Sequence, residues 1–96
     1  MTYTGMGYRF TRHAQGRLRQ RAISPLVVDW LLMFGERKPV NHGEIHYFTR
    51  ASRERLRKYI GARSMAKFDS ELDSYVVIVE GQIVTAGHRT KRIPNP

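Results

Sequence analysis

The chain has 96 residues, 17 Lys and Arg against 8 Asp and Glu, a formal net charge of +9 and no cysteine. That length holds one core of ordinary domain size and leaves no room for a second domain. Disulfides and thiolate zinc sites are excluded, no apolar run approaches the roughly 20 residues that span a bilayer, and the N-terminus lacks the charged-then-apolar order of a signal peptide.

Thr11 is suited to cap a helix from about Arg12 to Ala22, because Phe10, Ala14, Leu18 and Ala22 recur every four residues as an apolar stripe. Ser24-Pro25 ends that helix and begins a second. Ser fits the N-cap, and Pro fits a first helical position whose N–H has no intrahelical partner. Leu26, Val27, Trp30, Leu31 and Phe34 give the second helix a broad apolar face, with Gly35 as its expected stop. Extended segments at about Arg37 to Val40 and Glu44 to Thr49 flank Asn41-His42-Gly43, whose Asn and Gly tolerate positive φ.

From Ser52 to about Leu72, the residues Leu56, Tyr59, Ile60, Ala66, Phe68 and Leu72 fall mostly at helical spacings broken by Gly61. One bent helix or two short ones fit equally. Tyr75 to Val79 and Ile83 to His88 are rich in β-branched residues and are joined by Glu80-Gly81-Gln82. Neither alternates cleanly, so this hairpin is expected to be covered on both faces. The order ααββαββ predicts an α+β domain with its core at about residues 10–92, in which N-terminal helices pack on a small antiparallel sheet.

The positive charge is clustered. Arg9, Arg12, Arg17, Arg19 and Arg21 share a 13-residue stretch without an acid. Arg50, Arg53, Arg55, Arg57, Lys58, Arg63 and Lys67 share an 18-residue stretch whose single acid is Glu54. An excess of this size points to a polyanionic partner, with nucleic acid ahead of acidic protein or anionic membrane, and to a soluble, cytoplasmic protein. Arg53 and Arg57 are the candidate nucleic-acid contacts of the second run, which fits a solvated helix face equally well.

Two clusters combine histidine with arginine. His13, Arg17 and Arg21 lie at i, i+4 and i+8, a row beside the apolar stripe. Guanidiniums are permanent, bidentate phosphate donors, and surrounding positive charge disfavours a proton on His13, which leaves it suited to act as a base. An ordinary exposed helix face has the same spacing. The second cluster, His88-Arg89-Thr90-Lys91-Arg92, follows the last strand, where exposed groups are held firmly. Arg89, Lys91 and Arg92 are candidate phosphate contacts, and a basic tail clinging to phosphate without specificity is the plainer alternative. If Gly81-Gln82 forms a two-residue turn, Glu80 pairs with Ile83 and Tyr75 with His88. His13, His88 and Tyr75 are thus the candidate catalytic groups. His42 and His46 have metal-ligand spacing only on a helix, which Gly43 and the strand signals oppose. No metal site is expected, and His46 is expected to face outward.

His13-Ala14, Arg17, Arg21 and Ile23-Ser24, taken with Ile83-Val84-Thr85-Ala86-Gly87-His88-Arg89, resemble a known pattern. The sequence is similar to the small bacterial domains grouped as domain of unknown function 4258, which open with a His-Ala…Arg…Arg-Ile-Ser helix and finish in a Thr-containing strand. The resemblance runs from about Phe10 to Arg92, and Ser52 to Leu72 departs from it as a long basic helical insert. More loosely, such domains are similar to the RelE-like and barnase-like ribonuclease folds of bacterial toxins. The resemblance implies helices followed by an antiparallel sheet. It also implies metal-independent RNA cleavage without a cofactor, in which a base activates a 2′-hydroxyl, Arg or Lys stabilises the phosphorane and an acid protonates the leaving oxygen. The first expectation is therefore a small RNA-directed, toxin-like protein, an endoribonuclease in its strongest form, with no membrane partner. The alternatives are a non-catalytic nucleic-acid-binding module and an interaction protein that docks an acidic, antitoxin-like partner.

Overall fold

Thr11 organises the N-terminal end of the fold. In the computed structural model, which describes residues 3–89, its Oγ1 accepts the Ala14 N–H at 3.1 Å and caps α1 (Arg12–Gln20). Its own N–H donates to the Ile83 carbonyl at 3.0 Å. The two residues before this bond, Arg9–Phe10, form a short strand, β1. α1 ends before the predicted Ala22. That residue is exposed at φ 54°, Ile23 donates to the Leu18 carbonyl at 2.9 Å, and Ile23 takes the buried place expected of Ala22.

α2 (Pro25–Phe34) starts after Ser24 and stops at Gly35, as its sequence dictates, yet the Ser24 hydroxyl does not cap it. Glu71 Oε1 accepts the Ser24 N–H at 2.5 Å instead, which places a carboxylate at the positive end of the helix. Gly35 is required by space and not by φ. A Cβ there would lie 2.6 Å from the Leu31 carbonyl oxygen and 2.9 Å from that of Tyr47.

β2 (Glu36–Val40) and β3 (Gly43–Tyr47) follow as a hairpin. Thr49 was expected to end a strand but begins a helix. Its Oγ1 accepts the Ser52 N–H at 3.2 Å and Ser52 Oγ accepts the Thr49 N–H at 2.7 Å, a reciprocal cap that starts α3 (Arg50–Ile60) two residues before the predicted Ser52. Gly61, at φ 87°, separates α3 from α4 (Ala62–Lys67), and a 3-10 turn at Asp69–Glu71 leads to the last hairpin. The basic insert is thus two helices.

β4 (Ser74–Val79) and β5 (Gln82–His88) turn at Glu80-Gly81, with φ 51° and 75°. Two consecutive positive φ angles make the tight type I′ connection. The turn falls one residue before the expected Gly81-Gln82, so Val79 pairs with Gln82. Val84 is then bulged out between the pairs Ile78–Ile83 and Val77–Thr85. The earlier turn moves the register by two residues and the bulge restores one. Tyr75 therefore faces Gly87, and His88 faces Ser74, which corrects the expected Tyr75–His88 pair.

The sheet order is β1-β5-β4-β3-β2. Because β1 runs parallel to β5, the sheet is mixed and not wholly antiparallel, and a two-residue strand has no sequence period by which to be read. The fold is α+β, with the helices on one face. Phe10, Leu18, Val28, Leu31, Leu56, Val76, Ile78 and Ile83 belong to one buried cluster. Along β4, Ser74, Val76 and Ile78 are buried while Tyr75, Val77 and Val79 are half-buried. The central hairpin is therefore covered on one face and not on both. His46 faces the covered side opposite Val76 and is 4% exposed, against the expected outward position. No helix among the described residues is long and apolar enough to cross a membrane.

Candidate functional site

β1 pairs only with Gln82 and Ile83, so the remainder of β5 has no strand on its outer side among the described residues. α1 packs along β5, with Ala14 and Leu18 turned into the core. Arg17 and Arg21, one helical turn apart on its flank, reach the open edge of β5. With Tyr75, Thr85, Ala86, Gly87 and His88 they line a cleft of about 220 Å³. Gly87 makes room for the phenol. A Cβ there would lie 2.9 Å from Tyr75 Oη and 3.1 Å from the ring carbons Cε2 and Cζ.

His88 is held at both nitrogens. Nδ1 donates to Asp73 Oδ1 at 2.7 Å, and Nε2 donates to the Arg21 carbonyl at 2.6 Å. A carboxylate and a carbonyl both accept, so each ring nitrogen carries a proton and the ring is an imidazolium. Its pKa is raised, first by the Arg21 carbonyl and then, against partial burial, by the hydrogen bond and charge of Asp73; the Arg21 guanidinium opposes. The cation also sits at the carbonyl end of α1, where the helix dipole favours it. This imidazolium can stabilise an anion by its charge. To give a proton to a ligand, or to act as a base, it would first have to release one of its two partners.

His13 stands differently. It is exposed, and its Nε2 accepts from Arg17 Nε at 3.3 Å, so Nε2 carries a lone pair and the proton is on Nδ1. The predicted row of His13, Arg17 and Arg21 exists. Arg17 and Arg21 enter the cleft with His88 and Tyr75, and His13 lies one hydrogen bond outside it.

Arg89 leaves the chain toward a second cleft. Its Nη1 donates to the Phe48 carbonyl at 2.8 Å, and its guanidinium lies 5.1 Å from the centroid of the Tyr47 ring. Arg53 Nη2 donates to the Leu72 carbonyl at 2.9 Å. Phe48, Thr49, Arg50, Arg53 and Arg89 line this cleft, of about 400 Å³. Arg57 lines neither cleft and faces Glu54 across 3.9 Å in an exposed pair. Lys91 and Arg92 lie outside the described residues.

Sequence reasoning missed Asp73, Thr85, Gly87 and Arg50. Asp73 and His88 come together because Ser74 pairs with His88, and the Arg89 N–H continues the ladder to the Asp73 carbonyl at 2.7 Å. Only a correct turn position and bulge would have revealed this. Among the described residues, no three His, Asp or Glu side chains gather as metal ligands would. The chain matches no protein-family model, no curated protein and no solved structure.

Proposed function

We propose that this is a small, RNA-directed, toxin-like protein of the cytoplasm whose first cleft holds a phosphodiester of the RNA backbone. The observation that carries the reading is the convergence of Arg17 and Arg21 with His88, whose imidazolium is paired with Asp73, in one cleft. The two guanidiniums, with the Asp73-paired imidazolium beside them, suit the charge and the oxygens of a phosphate. The Tyr75 ring offers a base a stacking face, and the hydroxyls of Tyr75 and Thr85 offer partners to a ribose 2′-hydroxyl. The resemblance to the small bacterial domains named above points the same way.

The test is fluorescence anisotropy of a labelled single-stranded RNA across a salt series. Affinity is expected to fall steeply with salt, with a log–log slope of about −0.7 for each phosphate neutralised. Arg17→Gln with Arg21→Gln is expected to weaken binding by about tenfold or more, since hydrogen bonds to charged groups contribute about 1.5–3 kcal/mol each. No binding at low salt, or binding indifferent to the double change, overturns the reading.

Cleavage of the bound strand is a second reading, favoured by the contrast between the two histidines. His13 Nε2 bears a lone pair that accepts from Arg17, while the two protons of His88 are held by Asp73 and the Arg21 carbonyl. The bound strand must therefore displace Arg17 from His13 and one partner from His88 before either group acts. In this chemistry His13 takes the 2′-hydroxyl proton and O2′ forms a bond to the adjacent phosphorus. The P–O5′ bond breaks, and His88 gives a proton to O5′. Arg17 and Arg21 neutralise the phosphorane. The products are a 2′,3′-cyclic phosphate and a 5′-hydroxyl, and the reaction proceeds in a chelator. His13→Ala should abolish cleavage while RNA is still bound, and His88→Ala should abolish cleavage and weaken binding as well. Cleavage that survives both changes, or that needs added metal, removes this reading and leaves the first.

A further inference from the structure

We propose that Thr49, Arg50, Arg53 and Arg89 form a second phosphate site, which takes another phosphate of the RNA strand held in the first cleft. Its ligand rests on the reading of the first cleft; its geometry does not. Arg53 and Arg89 are each anchored by one guanidinium nitrogen on a backbone carbonyl, that of Leu72 and that of Phe48. A guanidinium has five N–H donors, so anchoring one leaves the others for a ligand. Arg89 Nε is buried and has no hydrogen-bond partner among the described residues, although its guanidinium is already steadied against the Tyr47 ring. Exposed Arg50 adds a third charge, and no carboxylate lines the cleft.

Three arginines without an acid are a costly grouping unless an anion neutralises them. Pre-positioned guanidiniums favour a tetrahedral oxyanion over a flat apolar ligand. Consecutive residues join the two clefts: His88 lines the first and Arg89 the second. Tyr75 and Tyr47 pair across β4 and β3, with Tyr75 in the first cleft and Tyr47 under Arg89. Tyr47 is buried beneath Arg89, so the half-buried Tyr75 ring alone offers a base a stacking face between the two phosphate sites, a contact that follows a single strand without reading its sequence.

Arg53 and Arg89 also hold the fold together, so exposed Arg50→Gln is the variant to compare with wild type and with Arg17→Gln/Arg21→Gln in RNA titrations over salt. Arg50→Gln is expected to weaken binding about three- to tenfold and to flatten the salt slope by about 0.7. In wild type, the Arg89 Nε–H resonance is expected to shift when RNA is added. Unchanged affinity and slope in Arg50→Gln, with binding lost in the double variant, overturns the second site and leaves the first cleft standing. Binding lost in Arg50→Gln but intact in the double variant overturns the first cleft and, with it, the shared strand. An Arg89 resonance that moves with inorganic phosphate but not with RNA also overturns the proposal.

Discussion

His88 and Asp73 are joined by a 2.7 Å hydrogen bond, and the far side of the same ring grips the Arg21 carbonyl at 2.6 Å. One imidazolium thus ties the start of β4 to the end of α1, and it does so at the edge of the cleft. The same proton that makes His88 a cation holds the cleft wall in place.

This clasp makes stability depend on pH with a definite sign. The folded pKa of His88 lies above the unfolded value, about 6.5. Its contribution is therefore complete below about pH 6.5 and is lost as pH rises through the raised folded value. Urea unfolding of wild type and His88→Gln between about pH 5 and 9 should show a stability difference that shrinks as pH rises. A difference that stays constant or grows would contradict the clasp. Asp73→Asn should lower the His88 titration midpoint, measured by NMR on the imidazole.

Gly87→Ala sets a methyl against the Tyr75 phenol, 2.9 Å from Oη. The half-buried ring has solvent to move into, so the cost belongs at the low end for overpacking, about 1 kcal/mol, with the phenol displaced from the cleft. Denaturant melts of Gly87→Ala, Tyr75→Ala and the double variant measure the coupling. Additive effects would show that the glycine does not make room for the ring.

Ala22 and Glu80 are exposed and carry side chains at positive φ, 54° and 51°. Such positions favour Gly or Asn, at the end of a helix and in a type I′ turn respectively. Ala22→Gly and Glu80→Asn are each expected to stabilise the protein by about 0.5–1 kcal/mol. A lowered melting temperature in both would show that these backbone angles are not those of the folded protein.

The sheet is asymmetric, and truncation should reveal it. Ile83 is fully buried under the helices, so Ile83→Ala is expected to cost about 2–5 kcal/mol. Val77 lies on the half-open face, and Val77→Ala is expected to cost about 1 kcal/mol or less. Chemical denaturation of the two variants decides this, and equal losses would mean that something else covers the open face.

Local signals were legible wherever one residue type answered one backbone need. Thr11, Ser24-Pro25 and Gly35 marked helix ends correctly because orphaned N–H groups, a fixed proline φ and a close backbone approach each demand a particular side chain. Thr49 was misread, because Thr favours strands as readily as it caps helices and only its reciprocal bonds with Ser52 separate the two. The row of His13, Arg17 and Arg21 was legible from helical spacing alone. The partner of His88 was not.

Taken by itself, the sequence determined an α+β chain, its helix boundaries to within a few residues, and clusters of arginine with histidine near both ends of the chain. Tertiary structure decided which of those charges meet. A strand repeats every two residues, so a turn one residue early and a single bulge at Val84 chose between Tyr75 and Ser74 as the neighbour of His88. The same register set Arg89 beside Arg53, residues 36 positions apart whose local sequences carry no mark of each other. Hydrophobic burial drives the sheet together without direction, and the turn and the bulge supply the register that puts the side chains in place.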